Sequence, residues 1–247
     1  DAGIPVPESR LVPVRSATLR GRGEAADEVY KAAVQVGVPV GTEVEPKKDG
    51  RRVVIKAQLN MGGRGKAGLI GVAGSAREAA QVATEVLGKG YEVPALLVEH
   101  AVDVERELYL SVTPDPPKAK YIVLAAAEGG VEIEELAKER PDSIKRVEVD
   151  PFRGLQPFQV RGLAFDLGLS GDQAKAFTQL CTRLFRLFEE NDAELAEINP
   201  LFVTIQGEIV AGDAKLIIDD NSLYRQPRYE ISREQFDSDA AFEAAEE

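Results

Sequence analysis

One stretch constrains this chain more than any other: Val53-Val54-Ile55-Lys56-Ala57-Gln58 runs almost directly into Asn60-Met61-Gly62-Gly63-Arg64-Gly65-Lys66-Ala67-Gly68. The β-branched apolar run reads as a buried strand, and a lysine inside such a strand is costly unless an anion offsets its charge. The loop that follows is rich in glycine and carries two cations. Glycines let backbone N–H groups come close to an anion, and Arg64 and Lys66 add positive charge, so the combination suits a polyphosphate. The same residues also read as an ordinary flexible hairpin with solvated cations.

Two phosphate motifs can be tested on this loop. A Walker A sequence is excluded, because Asn60 stands where its first glycine belongs and Ala67 where Ser or Thr would hold magnesium. Gly63, Gly65 and Gly68 match the dinucleotide glycine pattern, but there the helix begins inside the motif. Here Leu69-Ile70-Gly71-Val72 reads as a second strand, and the helical pattern waits for Ser75, with Glu78 completing a capping box. Strand, glycine loop, strand is the order of a flap laid over phosphates.

The net charge of −12, from 42 acidic residues against 30 basic ones, argues against a general nucleic-acid surface. It also makes a local basic flap more pointed. A single cysteine, Cys181, rules out an internal disulfide and fits a reducing compartment. Cys181 lies on the apolar stripe of a helix that starts at Ser170, capped with Gln173 and carrying Phe177, Leu180, Leu184 and Phe188 at helical spacing. No apolar run reaches membrane-spanning length, so no membrane contact is expected.

Along the chain, strands are expected at Leu11–Val14, Ala95–Glu99, Glu107–Val112 and Tyr121–Ala125, with a helix over Ala25–Val36 and a polar turn at Lys47–Gly50. The last 15 residues are acidic and alanine-rich, a helix or a linker. Strands and helices together give an α/β or α+β fold.

A second constellation lies in residues 193–217. Two strand-like runs flank Thr204-Ile205-Gln206-Gly207, and a glycine closing a three-residue loop suits a type I turn with a bulge. That register sets Asn199 opposite Asp213 and Glu197 opposite Lys215. Period-two alternation then gathers two carboxylates, an amide oxygen and a lysine among the apolar neighbours Leu195, Ile198, Leu201 and Ile209. Oxygen ligands of this kind suit Mg²⁺. A surface hairpin with a cross-strand salt bridge between Glu197 and Lys215 is the plainer alternative. Glu99 and Glu107 sit at strand ends; taken singly, each reads first as a solvated charge, and beside a nucleotide such a carboxylate accepts from ribose or adenine. His100, the only histidine, has no triad or metal cluster to join.

These motifs together resemble the β subunits of succinyl-CoA synthetase. The likeness includes the flap from Val54 to Gly68, Glu128-Gly129-Gly130-Val131-Glu132-Ile133-Glu134, Asp150-Pro151 with Gly154-Leu155-Gln156-Pro157-Phe158-Gln159, and Glu197-Ile198-Asn199-Pro200-Leu201. Asp213-Ala214-Lys215, Asp219-Asp220-Asn221 and Leu223-Tyr224-Arg225 complete the series, in the family's order, from Gly3 to about Arg228. The resemblance implies an α+β ATP-grasp fold whose two lobes enclose a nucleotide. Its larger lobe would combine residues 1–19 and 106–235, and its smaller lobe residues 20–105. Residues 236–247 would be an acidic tail or a linker to a C-terminal domain that the chain lacks.

By the same resemblance, Lys56 and Gly63-Arg64-Gly65 would hold the phosphates of ATP or GTP. Glu99, the backbone at Val102, and Glu107 would hold the nucleoside. Asn199 and Asp213 would bind Mg²⁺, and Glu197 would be catalytic, steering a phosphohistidine presented by an α subunit that also carries the CoA site. The implied reaction phosphorylates that histidine, passes the phosphoryl group to an organic acid and lets CoA displace it. A hetero-oligomer located in the cytoplasm, or in the mitochondrial matrix of a eukaryote, is the corresponding expectation. Three features depart from the family. Asn60-Met61 replaces its His-Ala, the segment between Val14 and Val53 is longer, and the domain that helps bind the acid and dock the α subunit is absent before Glu247. A malate–CoA ligase β subunit and a nucleotide-binding module without chemistry are the alternatives.

Overall fold

The computed structural model describes residues 2–16, 18–40, 51–59 and 61–229. The turn expected at Lys47–Gly50 and the acidic C-terminal segment lie outside them. The chain divides into two compact units, one over Pro7–Val102 and the other over the residues up to Val6 with those from Asp103 onward.

The N-terminal unit contains strand β1 (Ser9–Pro13), helix α1 (Leu19–Val36), strands β2 (Val53–Gln58) and β3 (Ile70–Ala73), helix α2 (Ala76–Leu87) and strand β4 (Ala95–His100). The strands form an antiparallel sheet in the order β1-β4-β2-β3. Alternation along β2 sends Val53, Ile55 and Ala57 into a core shared with Leu96 and Val98 of β4, Val29 and Ala33 of α1, and Ala79 and Ala83 of α2. Val54, Lys56 and Gln58 therefore take the other face. Helix α1 starts six residues earlier than the apolar spacing predicts. Thr18 caps it by accepting from the Gly21 N–H, and Gly21 is required because a Cβ there would stand 2.3 Å from the Ser16 carbonyl oxygen. At its other end Gly37 takes the left-handed conformation, φ 99°. Helix α2 makes half of the predicted capping box: the Ser75 hydroxyl accepts from the Glu78 N–H, while the Glu78 carboxylate accepts from the Gly74 N–H and not from that of Ser75. The reading that groups residues 1–19 with the larger lobe does not hold for β1. It pairs with β4 through Leu11 opposite Leu97, a long-range match that local pattern does not reveal.

The C-terminal unit contains β5 (Val104–Asp115), β6 (Lys120–Ala126), α3 (Ile133–Glu139), β7 (Ile144–Val149), α4 (Pro157–Asp166), α5 (Gly171–Glu190), β8 (Ala193–Thr204), β9 (Ile209–Ala211) and β10 (Ala214–Ile218). Its sheet runs β10-β8-β5-β6-β7, with β9 also on β8. Phe177, Leu180, Cys181, Leu184 and Phe188 of α5 pack with Val160 and Leu163 of α4 on one sheet face, against Leu108, Leu110 and Val112 of β5. Burial pushes the Cys181 thiol up to about 12, as suits a packing residue. Ser170 does start α5, but its side chain caps nothing, so the expected capping box is not made. No helix among the described residues is long and apolar enough to cross a membrane.

Candidate functional site

In the N-terminal unit, the strand lysine finds its anion inside the protein. Lys56 Nζ donates to Glu99 Oε1 at 2.6 Å, with the two side chains only 10% and 8% exposed. Register explains the meeting: Val54 faces Glu99 and Lys56 faces Leu97, so the two charges are diagonal neighbours on the sheet face away from the core. Glu99 is thus a buried partner and not a solvated strand-end charge. Their separation of 43 positions hides this pair from any local reading.

The loop after β2 is a compact turn. Ala67 N–H donates to Gly63 O at 3.1 Å and Leu69 N–H to Arg64 O at 2.9 Å, before β3 returns alongside β2 with Ile70 opposite Lys56. The expected order of strand, glycine loop and strand is therefore present. Gly63 needs its glycine because φ is +67°, and a Cβ on Gly63 or Gly65 would meet nothing within 4 Å, which leaves backbone N–H groups approachable. Arg64 gives one N–H to the Ala57 carbonyl at 2.8 Å and so ties the loop to its strand. Lys66 is exposed. Val102 is half-buried, just after β4.

In the C-terminal unit the acidic hairpin has the predicted register. Lys215 faces Glu197, Val203 faces Ile209, and Asn199 N–H donates to Asp213 O at 3.0 Å. Gly207 closes the turn with φ +82°, its N–H bonded to Thr204 O. Two expectations are corrected. Ile198, Leu201 and Ile209 are not neighbours of the carboxylates but part of the main core. A register shift on β5 explains this: Leu108 faces Leu201 while Leu110 faces Ile198, so the inward parity of β8 changes at Asn199-Pro200. Secondly, the salt bridge of the plainer alternative is not formed between Glu197 and Lys215; the Tyr109 hydroxyl donates to Glu197 Oε2 at 2.7 Å instead.

Asn199 is gripped on both ends of its amide. Oδ1 accepts from Gly130 N–H at 2.7 Å, and Nδ2 donates to Val131 O at 3.0 Å. The Gly129-Gly130 pair makes this possible. A Cβ on Gly129 would stand 2.3 Å from the Leu108 carbonyl oxygen, and one on Gly130, where φ is +70°, would stand 2.5 Å from Glu107 Oε2. Glu107 is itself exposed, and its carbonyl accepts from Gly129 N–H at 2.9 Å. One loop therefore brings Glu107 and Asn199 together. Asp213 Oδ1 accepts from Ala214 N–H at 3.0 Å. Among the described residues, no three His, Cys, Asp or Glu side chains are grouped to hold a metal. The oxygen donors here are therefore a carboxylate just before β10 and an amide on β8, enough for a hard cation that takes its remaining ligands from water and phosphate. Tyr109 and the glycine pair received no role in the sequence reading, although alternation along β5 puts Glu107, Tyr109 and Ser111 on one face and could have signalled it.

Comparison with known proteins fits this geometry. A family model described as ATP-grasp domain matches residues 28–203. The chain is 44% identical, over its whole length, to the ADP-forming sulfoacetate-CoA ligase subunit of Bilophila wadsworthia, and 40% identical to the β subunit of ADP-forming succinate–CoA ligase from Halorubrum lacusprofundi. It spans 60% and 59% of those two proteins. The corresponding β subunit of Rubrobacter xylanophilus is 48% identical over 76% of this chain and 51% of its own. Among solved structures, the dinucleotide-forming acetyl-coenzyme A synthetase 1 of Ca. Korarchaeum cryptofilum superposes with a TM-score of 0.64 at 19% identity, covering 88% of both chains, a likeness of fold. With the matched model covering both the glycine flap and the Glu197–Asn199 strand, the chain belongs to the ATP-grasp domain family.

Proposed function

We propose that this chain is the nucleotide-handling part of the β subunit of an acid–CoA ligase, using Mg²⁺ with ATP or GTP. The observation that carries the reading is the identity of 40–44%, over the whole of this chain, to ADP-forming CoA ligase subunits. Lys56 and the N–H groups of Gly63-Arg64-Gly65 take the phosphates, and Glu99, the Val102 backbone and Glu107 take the nucleoside. Since Lys56 and Glu99 hold each other at 2.6 Å, nucleotide binding exchanges at least part of that contact for contacts to the ligand. Asn199 and Asp213 would hold Mg²⁺, which supplies positive charge to the phosphate oxygens when bound. Gly130 N–H occupies one lone pair of Asn199 Oδ1 and leaves the other for the cation.

The chemistry is the one that the resemblance implies. An imidazole of the partner α subunit attacks the γ-phosphorus, forming a P–N bond as the bond to the nucleoside diphosphate breaks. The acid carboxylate then attacks phosphorus and breaks P–N, and CoA sulfur displaces phosphate from the acyl phosphate. Glu197 orients the imidazole. Succinate is the leading acid and sulfoacetate the second reading, favoured by the 44% relative; both are short acids with a second anionic group. The test is calorimetric titration of the chain with Mg·ATP and Mg·GTP, followed by succinate, sulfoacetate and malate with CoA and the partner subunit. Tight nucleotide binding with acid-dependent thioester formation supports the ligase. Binding without turnover in the assembled complex would leave a non-catalytic module.

A further inference from the structure

Tyr109 is 2% exposed, yet its ring lies outside the main core. It packs with Ala126 and Leu136 in a small cluster on the other sheet face, while its neighbours Leu108 and Leu110 enter the main core. The register shift on β5 leaves Tyr109 alone against the two residues Asn199 and Pro200 of β8. Ser111, next on the same face and 1% exposed, is the cross-strand partner of Glu197. A tyrosine needed only for packing could be phenylalanine; a buried hydroxyl requires a partner, and here the partner is the Glu197 carboxylate at 2.7 Å.

Burial, then the hydrogen bond to Glu197 and its charge, drive the Tyr109 pKa well above its usual value, outweighing an opposing contact from Ser111. The phenol stays protonated and gives its one proton to the carboxylate. A neutral donor on Oε2 leaves the carboxylate its full negative charge while removing rotational freedom, and among the described residues Oε1 makes no hydrogen bond.

We propose that Tyr109 is a positioning residue: it fixes Glu197 through Oε2 so that Oε1 is held ready for a cationic or hydrogen-bond-donating group, namely the partner's imidazole. This rests on the ligase reading given above. The test uses the full-length subunit assembled with its α partner, and compares the parent with Tyr109→Phe, Glu197→Gln and the double variant. Tyr109→Phe keeps the ring in its cluster, so melting temperature and Mg-nucleotide affinity stay near parental, while the rate of phosphoryl transfer to the partner falls about tenfold. In the Glu197→Gln background the same change alters the rate less than twofold, because the group through which it acts has lost its charge. A parental rate in Tyr109→Phe overturns the proposal, and so does an equal loss in both backgrounds or a nucleotide affinity that falls in step with the rate. A parent complex that binds nucleotide and transfers no phosphoryl group overturns the ligase reading itself, and Tyr109's role with it.

Discussion

In the N-terminal unit a buried charge is met inside the protein, Lys56 against Glu99; at the candidate site of the C-terminal unit the side chains take hydrogen bonds from neutral donors. Tyr109 O–H holds Glu197, Gly130 N–H holds Asn199, and Ala214 N–H holds Asp213. A buried ion pair cancels its own field, whereas neutral hydrogen bonds orient a carboxylate and leave its charge in place. One unit thus sets a lysine against a carboxylate of its own, and the other holds Glu197 through a donor that carries no charge. The lesson is that an unusual buried charge does not by itself demand a phosphate: the cost that singles out Lys56 in the sequence is already met by Glu99.

The largest effect should come from breaking the internal pair. Lys56→Ala removes the 2.6 Å partner of a buried carboxylate, so the variant should lose about 3–5 kcal/mol of stability and nucleotide affinity at least tenfold. Lys56→Ala combined with Glu99→Gln should recover much of the stability, since the buried negative charge is gone, without recovering affinity. Denaturant melts and calorimetry read the two separately. Recovery of both would mean that Lys56 serves the fold alone.

Sharpening the other half of the contrast, Asp213→Asn replaces a charged oxygen with an amide of similar size. The variant should melt near the parent, while Mg²⁺ no longer strengthens nucleotide binding in titrations with and without the ion. An unchanged Mg²⁺ dependence would return the hairpin to an ordinary structural element.

A smaller effect is expected at Gly130. An alanine there must adopt φ +70° and place its Cβ 2.5 Å from Glu107 Oε2, a cost of about 1–2 kcal/mol. Gly130→Ala should lower the melting temperature by a few degrees, and it should weaken Mg²⁺-dependent binding because the grip on Asn199 loosens. Loss of stability with intact Mg²⁺ dependence would separate the loop from the metal ligand.

What the sequence disclosed follows the range of the interaction. The hairpin register from Glu197 to Lys215 could be read because Gly207 and a three-residue turn fix it locally, and the Ser75 cap because its partner is three residues on. The flap followed from one strand, one loop and the next strand. The contacts that tune the site were hidden because they span 43 residues for Lys56–Glu99, 88 for Tyr109–Glu197 and 69 for Gly130–Asn199. The parity change in β8 was hidden too, since it arises from the bulge against β5 and not from β8's own pattern. Helix α4 went unread because its start is set by Pro157 and by Gln159 accepting from the Gln156 N–H, with little apolar periodicity to mark it.

The smallest effect, none, is predicted at His100, and it bears on which chain carries the covalent phosphate. His100 ends β4 directly after Glu99, so alternation sends its side chain to the opposite face from the Lys56–Glu99 pair, and it stands opposite Val53 in the sheet. An imidazole on that face has no route to a γ-phosphate held by Lys56 and the flap, and no second histidine exists in the sequence. The chain alone with labelled Mg·ATP should therefore bind nucleotide and form no phosphoenzyme. Adding the α partner should place acid-labile phosphate on that partner, and His100→Asn should leave both binding and transfer at parental levels. Label on this chain in the absence of a partner, lost in His100→Asn, would overturn the two-chain mechanism and would mean that the N-terminal unit holds a nucleophile as well as a binding pair.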